Sequence, residues 1–162
     1  MPTRCGLAAA NSATSLVNVL NSRVGEPDAT AQHDTAGTGL AAEYGVPVAM
    51  KLVLVVRIDL GMGRGKIAAQ VAHAAVAATL ASLGEAAFHS WLEDGHPKVV
   101  LKAPTAAVLD DIIARVRTVG LPVQLVHDAG RTQVASGTLT CCAIGPAQDE
   151  RVDAVTAGLS LL

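Results

Sequence analysis

Residues 51–73 (KLVLVVRIDLGMGRGKIAAQVAH) constrain the fold of this chain more than any other stretch. The apolar run from Leu52 to Val56 predicts a buried β-strand, and the glycines of GMGRG indicate a tight turn directly after it. An Ala- and Val-rich helix begins at that turn. A strand that passes through a glycine turn into a helix is typical of a protein with a helix-covered sheet.

Three polar residues, Lys66, Gln70 and His73, stand in the first turns of this otherwise apolar helix. At about 100° per residue they fall within roughly 60° of one another and form one narrow polar stripe. The start of a helix also presents unpaired N–H groups and the positive end of the helix dipole, which favour a phosphate or an anionic transition state. A lysine is mildly unfavourable at this end of a helix, so its presence favours a functional site.

Composition limits the classes of protein that fit this chain. Its 162 residues suit one domain with a terminal extension, and 51% hydrophobic with 2% aromatic residues predicts a core of Val, Leu, Ile and Ala. A net charge of −2 excludes a globally basic nucleic-acid binder, but residues 51–67 carry four basic residues against Asp59 alone. No apolar run reaches the roughly 18–20 residues that span a bilayer, so no membrane partner is expected. Adjacent Cys141 and Cys142 fit a reducing, intracellular setting better than a disulfide framework.

The composition changes near residue 45. Residues 1–45 are rich in Ala, Ser, Thr, Asn and Gly and are predicted to form a flexible N-terminal extension, with only a weak likeness to a transit peptide. Residues 46–162 are predicted to form the folded domain. Its predicted strands span 51–58, 98–103, 122–127 and 138–144, and its predicted helices span 64–82, 85–93, 105–119 and 149–159.

This alternation predicts an α/β fold, a three-layer α/β/α sandwich around a four-stranded mixed sheet. The loop between the third and fourth strands is too short for a crossover helix, so one strand is expected to be antiparallel. Ligands of such sheets bind at the carboxyl ends of strands, where the turns 59–65 and 128–137 both begin. We therefore expect Lys66 and Asp128 in one site, where the lysine lowers the pKa of Asp128 and the carboxylate orients or deprotonates a water.

Other chemistries fit the motifs less well. A nucleotide site is disfavoured, because GxGxxG needs a glycine where Lys66 stands. A serine nucleophile at Ser136 lacks the GxSxG elbow. Three histidines lack the spacing of a recognised metal site, so no metal is expected (His73, His89 and His96).

With these residues in view, the chain from about residue 50 to 162 resembles the type-two peptidyl-tRNA hydrolases, a class distinct from the common bacterial enzyme. The resemblance rests on four blocks in order, VLVVRIDLGMGRGKIAAQVAHAAV, HPKVVLKAP, VHDAGRTQVASGT and AIGP. It implies hydrolysis of the ester that joins a peptide to the 3′ ribose of tRNA, with peptidyl-tRNA as the partner. It implies no metal or organic cofactor.

The resemblance also implies a catalytic set, which comprises Lys66, Asp128, Thr132, Gln70, His73 and Thr140. In the mechanism that we expect, water attacks without a covalent intermediate, Asp128 orients it or acts as its base, and Lys66 stabilises the oxyanion. The threonines and Gln70 position the ester or the water, and His73 supports them or relays a proton. Candidate contacts with the tRNA backbone are Arg57, Arg64, Lys98, Lys102 and Arg131.

This chain departs from the family pattern at three positions of the turn. Ile58 replaces a polar residue, Gly61 replaces a lysine, and Arg64 stands for another lysine. The loss of a basic residue predicts weaker contacts with tRNA phosphates.

A non-catalytic RNA-binding or adaptor module that uses the same basic face is the alternative function. Asp128 distinguishes the two, because a phosphate binder gains nothing from a carboxylate beside its lysine. We expect a cytoplasmic protein, or a mitochondrial one if residues 1–45 are a transit peptide. The Ala-rich helix face suggests a homodimer as a further partnership.

Overall fold

The computed structural model describes residues 48–131 and 133–162. Their helices and strands are β1 (Met50–Arg57), α1 (Arg64–Ser82), α2 (Ala86–Glu93), β2 (Lys98–Ala103), α3 (Ala106–Thr118), β3 (Val123–His127), β4 (Leu139–Gln148), α4 (Asp149–Thr156) and β5 (Ser160–Leu161). The predicted extension over residues 1–45 and the predicted site residue Thr132 lie outside the described residues. None of these helices is long and apolar enough to cross a bilayer.

The strands form one mixed sheet in the order β3-β4-β1-β2-β5. β1 and β2 are parallel, whereas β4 is antiparallel to both β1 and β3. Strands β1, β2 and β3 therefore run in one direction. The predicted α/β fold, its mixed sheet and the antiparallel pairing of the third and fourth strands are confirmed.

The predicted count of four strands with one antiparallel is wrong. β5 is a fifth strand, and it pairs antiparallel with β2 through Leu161 opposite Leu101 and Ser160 opposite Lys102. The predicted last helix also ends early, at Thr156, before Gly158 turns the chain with a φ of 88°. A two-residue strand is too short to show the alternation from which strands are predicted.

Two apolar cores lie on the two faces of the sheet. Alternation along β1 sends Leu52, Leu54 and Val56 to the face that packs against α1 and α2. Val53 and Val55 lie on the other face, with the apolar residues of α3 and α4. Helices thus cover both faces, as the predicted three layers require.

The turn between β1 and α1 places the start of α1 at the carboxyl end of β1. Gly61 has a φ of 61°, a conformation that favours glycine, and Gly63 is the extended N-cap residue of the helix. As a glycine, Gly63 has no side chain that could accept from the first N–H groups of the helix, and the first helical turn carries no acidic residue. β3 ends at the same edge of the sheet, since it runs parallel to β1.

Candidate active site

Asp128 directly follows the last residue of β3 and closes the neck of the next loop. Its N–H donates to the carbonyl of Thr138 at 2.8 Å, and the N–H of Gly137 donates to its carbonyl at 2.7 Å. Only 4% of Asp128 is exposed. The backbone therefore fixes this carboxylate at the rim of the sheet.

Three donors converge on the Asp128 carboxylate. Lys66 Nζ and Gln70 Nε2 both donate to Oδ2, the latter at 2.7 Å, and the N–H of Gly130 donates to Oδ1 at 2.8 Å. Lys66 and Gln70 lie one turn apart on α1, so these two members of the predicted polar stripe meet the end of β3. The predicted convergence of Lys66 and Asp128, 62 positions apart, is confirmed.

These donors hold the pKa of the Asp128 carboxyl below its ordinary value. The hydrogen bond from Lys66 is the main cause, and the N–H of Gly130 reinforces it. Loss of water around the carboxylate opposes the shift but does not outweigh it, because the group is covered at the rim and not deep in the core. Asp128 is therefore ionised at neutral pH, with Lys66 as its counter-ion.

Gln70 is buried and held in one orientation. An ionised carboxylate can only accept, so the Nε2 amide must face Asp128 and the carbonyl Oε1 points elsewhere. Oε1 is buried and accepts no hydrogen bond within residues 48–131 and 133–162. A buried acceptor without a donor costs free energy, which suits this atom to a donor from a bound molecule.

The first turn of α1 adds positive potential beside Lys66. Gly63 has no side chain to cap the N–H groups of this turn, and Lys66 itself keeps 15% of its side chain exposed. A developing anion that reached this turn would meet both the ammonium and the helix start.

Residues 50–162 match the protein family described as "Peptidyl-tRNA hydrolase PTH2". The chain belongs to this family. The proteins named peptidyl-tRNA hydrolase in Metallosphaera sedula and Sulfurisphaera tokodaii are 48% and 47% identical to it over 120 and 121 residues. These alignments cover 70% and 71% of this chain and 100% of each relative. The protein of the same name in Methanocaldococcus jannaschii is 46% identical over 115 residues, which are 70% of this chain and 100% of that protein.

This family member keeps two other predicted catalytic side chains apart from the carboxylate. His73 lies on α1 beyond Gln70, is exposed, and makes no side-chain hydrogen bond in the described part of the chain. Thr140 is fully buried on β4, where its hydroxyl donates to the carbonyl of Val126 on β3 at 3.1 Å. The structure thus joins Lys66, Gln70 and Asp128 but does not join His73 or Thr140 to them by a hydrogen bond.

Two of the predicted contacts with tRNA, Arg57 and Lys98, have local partners away from Asp128. Arg57 donates to both oxygens of Asp59, at 3.0 and 2.7 Å, and to the carbonyl of Leu139 at 3.2 Å, so its guanidinium ties β1 to β4. Lys98 pairs with Leu52 at the opposite edge of the sheet, where its ammonium lies 4.7 Å from the ring centre of Trp91. Neither side chain is placed as a free cation beside Asp128, so we do not propose either as part of the site around that carboxylate.

The other three predicted basic residues lie at the edge that carries the site. Arg64 is the exposed first residue of α1, and Arg131 is exposed on the loop after Asp128. Lys102 is half-buried opposite Val56, near the carboxyl ends of β1 and β2. With Lys66 they form a basic rim, a name used below for Arg64, Lys66, Lys102 and Arg131.

Sequence reasoning assigned no role to Gln133. Its Oε1 accepts the N–H of Gly63 at 2.9 Å, across 70 positions of sequence. A contact between a loop side chain and a distant backbone N–H leaves no periodic pattern in the sequence. The one feature that could have pointed to a role for Gln133 is its position five residues after Asp128. The described residues contain no cluster of three or more His, Cys, Asp or Glu side chains arranged for a metal ion.

Proposed function

We propose that this family member hydrolyses the ester between the peptide and the 3′ ribose in peptidyl-tRNA, with Lys66, Gln70 and Asp128 as its reacting centre. The observation that carries the proposal is the contact of Lys66 with a covered, ionised Asp128 at the start of α1. A surface that only bound RNA phosphates would lose attraction by neutralising its lysine with a carboxylate. The family match and the names of the relatives support this substrate.

Lys66 is the electrophilic group in this mechanism. A water oxygen bonds to the ester carbonyl carbon, and negative charge develops on the carbonyl oxygen. The Lys66 ammonium and the N–H groups at the start of α1 stabilise that charge. The bond from carbon to the ribose 3′ oxygen then breaks, one water proton ends on that oxygen, and the other leaves with the new carboxyl group.

Asp128 acts mainly by orienting Lys66. Its carboxylate already accepts three hydrogen bonds, and its lowered pKa makes it a weak base. An oriented ammonium needs no reorganisation when charge develops on the substrate, and preorganised charges of this kind usually contribute more to catalysis than any other single effect.

Gln70 supplies a buried acceptor to this centre. Its amide N–H is committed to Asp128, which leaves Oε1 to accept from the attacking water or from a donor of the bound ester. The basic rim contacts the sugar–phosphate backbone of the acceptor end, so substrate affinity falls as the salt concentration rises.

The test is release of free tRNA from an N-acetylated aminoacyl-tRNA by the purified protein, with and without a chelator. We expect cleavage by the wild type in both cases and a loss of roughly 100-fold or more in kcat/KM for Lys66→Ala. Lys98→Ala removes a lysine from the opposite edge and should stay within about twofold of the wild type, because its contacts are local. Binding of tRNA without ester cleavage by the wild type would instead favour the RNA-binding module.

Location and assembly stay proposals of the same kind. We propose a cytoplasmic protein, or a mitochondrial one if residues 1–45 act as a transit peptide, which fractionation of cells would decide. We also propose a homodimer, which the exposed apolar residues of α1 and its C-cap support: Val76, Leu80 and Leu83. Light scattering would show the dimer mass for the wild type and a monomer for Leu80→Glu.

A further inference from the structure

The loop from Asp128 to Thr138 is held at its neck by backbone hydrogen bonds and farther out by Val134, which packs against the core on the α1 face of the sheet. The neck consists of the two backbone hydrogen bonds between Asp128 and residues 137–138. Gly130 has a φ of 73°, and a Cβ built there would lie 2.7 Å from the Ser136 N–H nitrogen and from its Cβ. The two arms of the loop thus touch near the neck, while Arg131 and Gln133 are exposed at its tip.

A hydrogen bond from the Gly63 N–H to Gln133 Oε1, at 2.9 Å, joins this exposed tip to the start of α1. Gly63 is the N-cap residue of α1, and as a glycine it has no side chain with which to cap the helix itself. A Cβ on Gly63 would lie 3.4 Å from Gln133 Nε2, so the glycine leaves just enough room for the amide to approach. Gln133 is itself exposed, which means that packing against a core does not hold it in place.

The tip and the first turn of α1 both border the proposed reacting centre. Asp128 and Lys66 fix only the neck of the loop to the helix, whereas Arg131 lies on the tip. Exposed loop residues open locally at low free-energy cost, and a displacement of about 1 Å in a positioning group can cost two orders of magnitude in rate.

We propose that Gln133 is a positioning residue for ester hydrolysis. By accepting the Gly63 N–H, it fixes the loop tip against the start of α1, so that Arg131 and the N–H groups of the helix bind the acceptor end in one register with Lys66. The inference rests on the proposed function, since it assigns Gln133 to the same site.

Two substitutions of Gln133 separate the hydrogen bond from the mere presence of a side chain. Gln133→Ala removes the acceptor, and kcat/KM for N-acetylated aminoacyl-tRNA should fall about tenfold, because one hydrogen bond of this kind is lost. Gln133→Glu keeps an acceptor, and a negative charge suits a helix N-terminus. It should therefore retain the wild-type kcat, with any loss confined to KM through repulsion of RNA phosphates.

Substitutions of Gly63 test the same bond from the donor side. Its φ of −65° fits proline, so Gly63→Pro removes the N–H without a change in φ, and Gly63→Ala adds a Cβ but keeps the N–H. Gly63→Pro should lose as much as Gln133→Ala, the double variant should lose no more than either, and Gly63→Ala should lose less.

Hydrogen exchange of the Gly63 amide, followed by NMR without RNA, reads the bond independently of activity. The amide should be protected in the wild type and in Gln133→Glu, and should exchange faster in Gln133→Ala. Three results would each overturn the inference when the wild type is active. They are a kcat/KM of Gln133→Ala within twofold of the wild type, losses that multiply in the double variant, and unchanged amide protection in Gln133→Ala. A wild type that does not cleave the ester at all would instead refute the proposed function, whatever the amide exchange shows.

Discussion

Asp128 links the stability of the protein to pH through one carboxyl group. In the folded protein its pKa lies below the ordinary value of 3.8, so its contribution is complete above the unfolded pKa and is lost as pH falls through the folded pKa. We expect the free energy of unfolding to fall more steeply below about pH 4 in the wild type than in Asp128→Asn. Urea titrations at neutral pH and at several acidic pH values measure both slopes.

The comparison isolates Asp128, because Asp59 is common to both proteins. The Arg57 guanidinium also holds the pKa of Asp59 below its ordinary value, so that carboxyl contributes to acid sensitivity in each of them. Parallel curves for the wild type and Asp128→Asn would show that the contact with Lys66 does not stabilise the charged carboxylate.

Which single residues could be predicted from the sequence depended on local geometry. The alignment of Lys66 with Gln70 follows from helical periodicity alone, and Asp128 was placed by the end of a strand. The surroundings of Arg57 could not be predicted, because the sequence does not reveal that its guanidinium donates to Asp59, two residues later. Lys98 was predicted to contact the substrate, but it is the first residue of β2. It therefore lies at the end of the sheet opposite to the carboxyl ends of the strands, where the site is.

At the scale of elements, two glycines of the loop after β3 differ in the space around them. Gly130 and Gly137 both have positive φ, of 73° and 81°, so alanine is strained at either position. Only at Gly130 would the new Cβ collide, with Ser136, whereas at Gly137 it would meet nothing within 4 Å.

Gly130→Ala should therefore cost more activity than Gly137→Ala. The collision displaces the Gly130 N–H from the Asp128 carboxylate, and we expect kcat/KM to fall about tenfold further than in Gly137→Ala. Thermal unfolding of both variants provides the control, since each carries the same kind of backbone strain. Equal kinetic losses would mean that the contact with Gly130 has no part in the site.

Long, strongly patterned elements were predictable, whereas short or non-local ones were not. α1 begins and ends at the predicted residues, and α3 begins within one residue of its predicted start, where the Thr105 side chain caps it by accepting the Val108 N–H. β5 was missed because its two residues pair only with a distant strand. The bond between Gly63 and Gln133 was missed because neither glycine nor glutamine marks a loop contact of that length.

At the scale of the whole molecule, both cores and all three joined site residues lie within residues 50–162. The family match covers the same range and leaves residues 1–49 outside. We propose that residues 46–162 form the catalytic domain, and we expect a chain that starts at residue 46 to keep kcat/KM within about twofold of the full chain.

Ester cleavage and thermal unfolding of the two chains, compared side by side, test this division. The shorter chain keeps Ala49, whose carbonyl accepts the Asp149 N–H, so its sheet should be undisturbed. Loss of activity in a chain that still unfolds cooperatively would give residues 1–45 a part in the reaction.

The α/β class, the mixed sheet and the direction of β4 could be predicted because they follow from the order and spacing of elements. The position of β4 between β3 and β1 could not be predicted, because strand order depends on pairing between distant segments, which leaves no local pattern in the sequence. Yet Lys66 and Asp128 were paired correctly, because carboxyl ends of parallel strands share an edge whatever strand lies between them.

A double-mutant cycle on Lys66 and Asp128 tests the central claim most directly. The claim is that an ammonium and the carboxylate that orients it act as one unit in ester cleavage. Lys66→Ala and Asp128→Ala should each lower kcat/KM for N-acetylated aminoacyl-tRNA roughly 100-fold or more, and the double variant should be no worse than the poorer single one. Losses that multiply, or a single variant that cleaves the ester as fast as the wild type, would contradict it.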